Sequence, residues 1–126
     1  MKTIRAKIAD DIKQDNQGNL KGFVEIDARY KREFNDFLEL LKKDGVEIVL
    51  YLPPFHPQLY EYYLKGNGKF QILPINRVED YTRETAKVHG AKVFGSYDPE
   101  KAGIQEQEFY DGMHVRDVGS IARIFR

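Results

Sequence analysis

The chain contains no cysteine. That excludes disulfides, thiolate metal sites and a cysteine nucleophile. Tryptophan is also absent. There is no net charge, because twenty basic and twenty acidic side chains cancel, so the overall field favours neither nucleic acid nor an acidic membrane surface. No apolar run is long enough to span a bilayer as a helix. The basic start Met1 to Lys7 is not followed by the apolar core of a signal peptide. Taken alone the chain is expected in the cytoplasm, and a longer parent protein in the cell envelope would void that expectation. Hydroxyl nucleophiles are scarce too, since Ser96 and Ser120 are the only serines.

What is present is enough for one domain with a modest core. The 126 residues are 32% charged and 41% hydrophobic, a globular composition rather than a disordered one. Short, partly alternating apolar patterns at 4–14 and 20–26 flank Asp15-Asn16-Gln17-Gly18-Asn19, a turn signal, and read as a hairpin or arm within residues 1–27. Residues 28–43 have the spacing of an amphipathic helix, with Tyr30, Phe34, Phe37, Leu38 and Leu41 on its apolar side. Asp27 suits its N-cap and Gly45 its stop.

Val46 to Leu52 reads as a strand buried on both faces of a parallel sheet, ended by Pro53-Pro54. A second helix is predicted at 57–65, closed by Gly66-Asn67-Gly68. A third is predicted at 76–89, with Val78, Tyr81, Ala86 and Val88 inward and Gly90 as its stop. Ala91 to Gly95 is a second buried strand, Pro99 to Glu108 a polar loop, and 117–125 a terminal helix capped by Asp117, with Ile121, Ile124 and Phe125 inward. The order implies an α/β fold with a small parallel sheet flanked by helices. Two strands are few for such a fold.

The pair most suggestive of chemistry is Asp111 and His114, in Phe109-Tyr110-Asp111-Gly112-Met113-His114. A carboxylate on one imidazole nitrogen fixes the tautomer and frees the other nitrogen as a base. The structural alternative is that Asp111 caps a turn at Gly112 and His114 is a partly exposed residue at a helix entry. Ser96, at the end of the second strand, is the one serine placed to be considered as nucleophile, although it lacks a G-x-S-x-G elbow. Its alternative is a strand-end turn in which Ser96 or Asp98 bonds nearby amides. His56, between prolines after the first strand, is a candidate substrate contact or else a residue fixed at a helix start. Tyr97, beside Ser96, is a second candidate substrate contact. Tyr60, Tyr62 and Tyr63 either line a sugar groove or pack a helix.

A metal set of His56, Asp98, Asp111 and His114 lacks any tight ligand spacing, so no metal is expected. No cofactor is expected either: Gly66-Asn67-Gly68 has neither the lysine nor the strand-to-helix context of a phosphate loop.

Gly95-Ser96-Tyr97-Asp98, the loop beyond it, Phe109 to His114 and the Gly-Ser-containing terminal segment together resemble the end of the SGNH (GDSL-like) hydrolases and acyltransferases. The likeness is to the branch acting on cell-envelope glycans, including the family that handles D-alanyl transfer to teichoic acids. Gly45 to Pro57 is similar to a strand and loop of the same group, and the resemblance covers about residues 18–126. It implies a partial SGNH or flavodoxin-like three-layer architecture, with Asp111 and His114 as two members of a Ser-His-Asp triad. It also implies an acylated glycan or small ester as substrate. The family's serine block, Gly-Asp-Ser-Leu or a variant, has no counterpart here, and neither do its oxyanion-hole glycine and asparagine.

The chain is therefore expected to be inactive alone in ester hydrolysis. It would need an N-terminal partner half, or be a non-enzymatic interaction module, with homo-oligomerisation as a further possibility. A gene fragment with a secondary start at Met1 is the third reading.

Overall fold

The computed structural model describes residues 2–14, 25–65 and 75–126. The turn read at 15–19, the apolar residues 20–24 and the stop at 66–68 lie outside the described residues. The element order is α1 (Ile4–Lys13), α2 (Ala28–Lys43), β1 (Val49–Leu52), α3 (Pro57–Lys65), α4 (Ile75–His89), β2 (Lys92–Gly95), α5 (Pro99–Ala102), a 3-10 turn (Glu106–Glu108) and α6 (Val118–Ile124). The fold is mixed α/β, with β1 and β2 paired in parallel from Val49↔Lys92 to Leu52↔Gly95 and helices around them.

The first correction is α1, a regular helix where a hairpin or arm was expected. Ile4, Ile8 and Ile12 fall four apart on one helical row, and Thr3 caps the helix by accepting from Ala6 N at 3.1 Å. Ile8 is buried with Phe55, Leu59, Tyr63 and Ile75 in the larger core cluster. Ile104, Phe109 and Ile124 form a smaller one.

Both strands begin after the same device. At the end of α2, Gly45 has φ +74°, and the amides of Gly45 and Val46 bond to the carbonyls of Lys42 and Leu41. At the end of α4, Gly90 has φ +69°, and its amide and that of Ala91 bond to Lys87 and Ala86. Each is a Schellman-type closure that satisfies helix carbonyls while turning the chain into a strand. It explains why β1 starts at Val49 rather than Val46: the Val46 amide is spent on the helix, and its side chain is exposed.

The caps at Asp27 and Asp117 are formed as expected, accepting from Arg29 N and Gly119 N. The expected polar loop at 99–108 instead contains α5 and the 3-10 turn.

β1 is not buried on both faces. Leu52 is buried and Leu50 half-buried, but Val49 and Tyr51 are exposed. On that face Phe125 packs against Tyr51 (ring centroids 5.0 Å apart) and Phe94 (5.3 Å), and is itself partly exposed. The inner stripe of α4 also differs from the expected one. Ile75, Glu79, Thr85, Ala86 and His89 are buried, whereas Val88 is 74% exposed. On α2, Leu38 is buried while Tyr30 and Phe37 face outward. Among the described residues no helix is long and apolar enough to cross a membrane.

Candidate active site

Asp111 and His114 sit at the tip of a tight loop. Phe109 and Val115 form an antiparallel bridge at its base, and Tyr110 N donates to His114 O at 3.0 Å. Below the bridge Arg116 N donates to Glu108 O (2.7 Å), and Arg116 Nε to Phe109 O (2.8 Å). Within the tip, Asp111 Oδ1 accepts from the amides of Met113 and His114, both at 2.8 Å. The same carboxylate lies 2.8 and 2.9 Å from His114 Nδ1.

One carboxylate thus caps the turn and orients the imidazole, so the two alternatives weighed for Asp111 coexist. An ionised carboxylate only accepts, so Nδ1 carries the hydrogen and the neutral ring presents its lone pair at Nε2. Among the described residues Nε2 has no hydrogen-bond partner. Burial of the Asp111 carboxyl works against its charge. The donors from Met113 and His114 outweigh it and hold the group below its ordinary range. The pair is wet, with side chains 63% (His114) and 43% (Asp111) exposed. Tyr110 stacks on the imidazole at 5.5 Å, and Tyr110 and Met113 are exposed beside it.

Ser96 is brought elsewhere. It is 1% exposed. Its hydroxyl donates to the Glu79 carboxylate (2.8 and 2.9 Å) and accepts from Asp98 N (3.1 Å). Glu79 also accepts from Tyr97 N (2.8 Å) and Arg83 Nε (3.0 Å), and Arg83 Nη2 donates to Gly95 O (2.6 Å). This knot ties the end of β2 to α4. Gly95 has φ +85°, and a Cβ there would run into Leu52 O, so the strand ends on a residue only glycine suits. A nucleophile needs access and a base. Ser96 has no access in this arrangement, and the one carboxylate it meets, Glu79, is shared with Tyr97 N and Arg83 Nε, so its role is the strand-end turn. Ser120 is likewise buried, donating to Glu108 Oε1 at 2.6 Å.

His56 is 1% exposed, which does not suit the substrate contact considered for it. Its Nδ1 accepts from Gln58 N (3.1 Å) at the start of α3, its Nε2 lies 3.5 Å from Glu106 Oε1, and its ring packs edge-on to Phe109. Burial lowers its pKa, against the pull of Glu106. Tyr97 is half-buried against Phe55 (5.5 Å), and burial raises its phenol pKa. Tyr63 packs in the core against Phe55. Among the described residues no three His, Asp or Glu side chains converge to hold a metal ion.

Two open grooves flank this region. One of about 740 Å³ runs between Tyr60, Asp98, Glu100 and Glu106. One of about 560 Å³ is lined by Arg5, His56, Glu106, Phe109 and Arg116. Neither of these two includes Asp111 or His114.

Sequence reasoning missed Glu79, the organising group at the end of β2. Its available signal was its place four residues before Arg83 and four after the apolar Ile75. Comparison with family models, curated proteins and solved structures gives no match to the chain.

Proposed function

We propose that this chain supplies the Asp-His part of a Ser-His-Asp acyl-transfer site, of the kind its terminal segment resembles. The observation that carries the reading is the two-oxygen hold of Asp111 on His114 Nδ1, with Nε2 left unpartnered among the described residues. In such a site Nε2 takes the proton of a serine hydroxyl as its oxygen attacks an acyl carbonyl. Asp111 stabilises the imidazolium, which then returns the proton to the departing alkoxide as the ester bond breaks. Ser96 and Ser120 are both committed to carboxylates. The serine and the oxyanion donors therefore come from another segment or subunit, and the substrate is an acylated glycan or a small ester. This chain alone is not an efficient esterase.

The test starts from the native locus. The reading frame is extended upstream as the genome encodes it, or co-expressed with a neighbouring frame that carries a strand followed by a Gly-Asp-Ser-like turn. The product is then treated with a fluorophosphonate. The expected result is a serine adduct that is lost in His114→Ala and reduced in Asp111→Asn. No such block in the locus, or an adduct indifferent to His114, would refute the proposal.

A second reading, a non-enzymatic interaction module, draws on the sheet. Two strands leave two outer edges with no neighbouring strand among the described residues, and Val49 and Tyr51 are exposed on β1. Such edges invite pairing with a partner or a second copy.

A further inference from the structure

The loop carrying Asp111 and His114 is gripped by the rest of the fold at Gly112. The Gly112 carbonyl accepts from His56 N at 2.9 Å. Its α-carbon lies so close to α3 and α1 that an added Cβ would stand 2.8 Å from Leu59 Cδ2 and 3.7 Å from Ile8 Cγ1. The first of these distances is shorter than real side chains tolerate, and Leu59 is packed in the larger core cluster with little room to yield, so alanine at 112 displaces the loop.

His56, the other side of the grip, is itself immobilised. Its imidazole Nδ1 caps α3 through Gln58 N, its ring rests on the fully buried Phe109, and the preceding Phe55 N donates to Tyr97 O at 3.1 Å. Phe109 lies two residues before Asp111, and Gly112 lies between Asp111 and His114. The exit loop of β1 therefore holds the tip at its base and at its centre.

We infer that His56 and Gly112 are positioning residues: the amide-to-carbonyl clamp between them, together with the missing side chain at 112, sets the loop geometry in which Asp111 holds His114. Neither residue touches substrate in this role. It replaces the direct substrate contact considered for His56. The inference rests on the proposed use of the pair as a base, but its test reads the imidazole itself, so it can fail while the acyl-transfer reading stands, and the reverse.

The whole chain, labelled with ¹⁵N and ¹³C, is observed by NMR at a pH where the imidazoles are neutral. Long-range proton–nitrogen correlations report the His114 tautomer, and the Asp111 carboxyl carbon reports its titration. The parent protein is expected to show the Nδ1–H tautomer and a carboxyl titrating below the ordinary range. Gly112→Ala is expected to lose the predominance of that tautomer and to move the Asp111 titration upward. Adding Leu59→Ala, which removes the clashing methyl, is expected to restore both signatures while lowering the unfolding midpoint further. A merely structural role predicts the reverse, since the double variant is the less stable one. Leu38→Ala, a core truncation in α2, is the control and should leave the His114 ring unchanged.

An unaltered tautomer and titration in folded Gly112→Ala would overturn the inference, and so would the same change in Leu38→Ala. If Gly112→Ala does not fold, His56→Asn decides. It keeps the backbone amide and an acceptor for Gln58 N, and removes the ring that seats the clamp on Phe109. A displaced His114 tautomer then supports His56 as the positioning residue that seats the clamp, and an unchanged one overturns that assignment.

Discussion

Replacing Glu108 by glutamine should remove a pH-dependent share of the stability. The Glu108 carboxylate receives the Ser120 hydroxyl (2.6 Å) and Arg123 Nη2 (2.7 Å) on one oxygen, and Gln105 N (2.7 Å) on the other. The Ser120 hydroxyl leads these donors in drawing its pKa from 4.5 down to about 2. At about 1.36 kcal/mol per tenfold change in proton activity, that displacement is worth about 3 kcal/mol if nothing screens it. The side chain is 20% exposed, so solvent reduces the figure to about 1–2 kcal/mol.

The sign follows from the depressed folded-state value. The contribution is fully present above the unfolded pKa near 4.5 and is lost as pH falls through about 2. Urea midpoints for the parent and Glu108→Gln, compared at pH 7, 4 and 2, should therefore show a gap of about 1–2 kcal/mol that closes on acidification. Asp111 is lowered in both proteins, so its part cancels in the difference. A gap that stays constant from pH 7 to 2 would show that Glu108 acts by shape or neutral hydrogen bonding. The electrostatic account of how α6 is fastened below the Asp111–His114 loop would then be wrong.

Two further outcomes are expected. Ser96→Ala leaves the buried Glu79 with one donor fewer. It should cost about 1–3 kcal/mol in urea unfolding without altering the His114 tautomer. A stability-neutral Ser96→Ala, or one that changes the His114 ring, would contradict the separation of the two sites. If the open edges of the sheet are docking surfaces, sedimentation of the chain alone should show self-association that Tyr51→Lys weakens. A strictly monomeric, stably folded protein would argue against dependence on a partner and remove the second copy as occupant.

The parts of the fold readable in the sequence are those decided within a few residues. Asp27 and Asp117 as caps, Gly45 and Gly90 as stops, and the bounds of α2, α3 and α4 depend on neighbours one turn away. The Asp111–His114 pair belongs to the same class, because a spacing of three lets one carboxylate reach both the turn amides and the ring. What escaped the reading depends on distant partners. Glu79 turns inward because Ser96 and the Tyr97 amide, at the far end of another element, need an acceptor. Val88 is exposed although its chemistry suits a core. α1 was hidden because the first apolar residues fit an alternating pattern as well as a helical row, and only the packing of Ile8 distinguishes them. Likewise, nothing in the run from Val46 to Leu52 announces that the first amide belongs to the preceding helix.

The pairing of β1 with β2 sets an order of assembly. Val49 meets Lys92, 43 positions along the chain, and closing a loop of that length costs about 3 kcal/mol of chain entropy before any strand hydrogen bond forms. Helices α3 and α4 lie inside that loop and shorten it, so forming them first lowers the cost of closing the sheet. The bond from Phe55 N to Tyr97 O lies just beyond the paired strands and continues their pairing, so it depends on the same closure. A chain that loses this pairing alone keeps most of its helical circular dichroism while its β1 exit loop is disengaged. Far-ultraviolet signal is then a poor witness to the state of the site, and exchange of the Phe55 and His56 amides is a direct one.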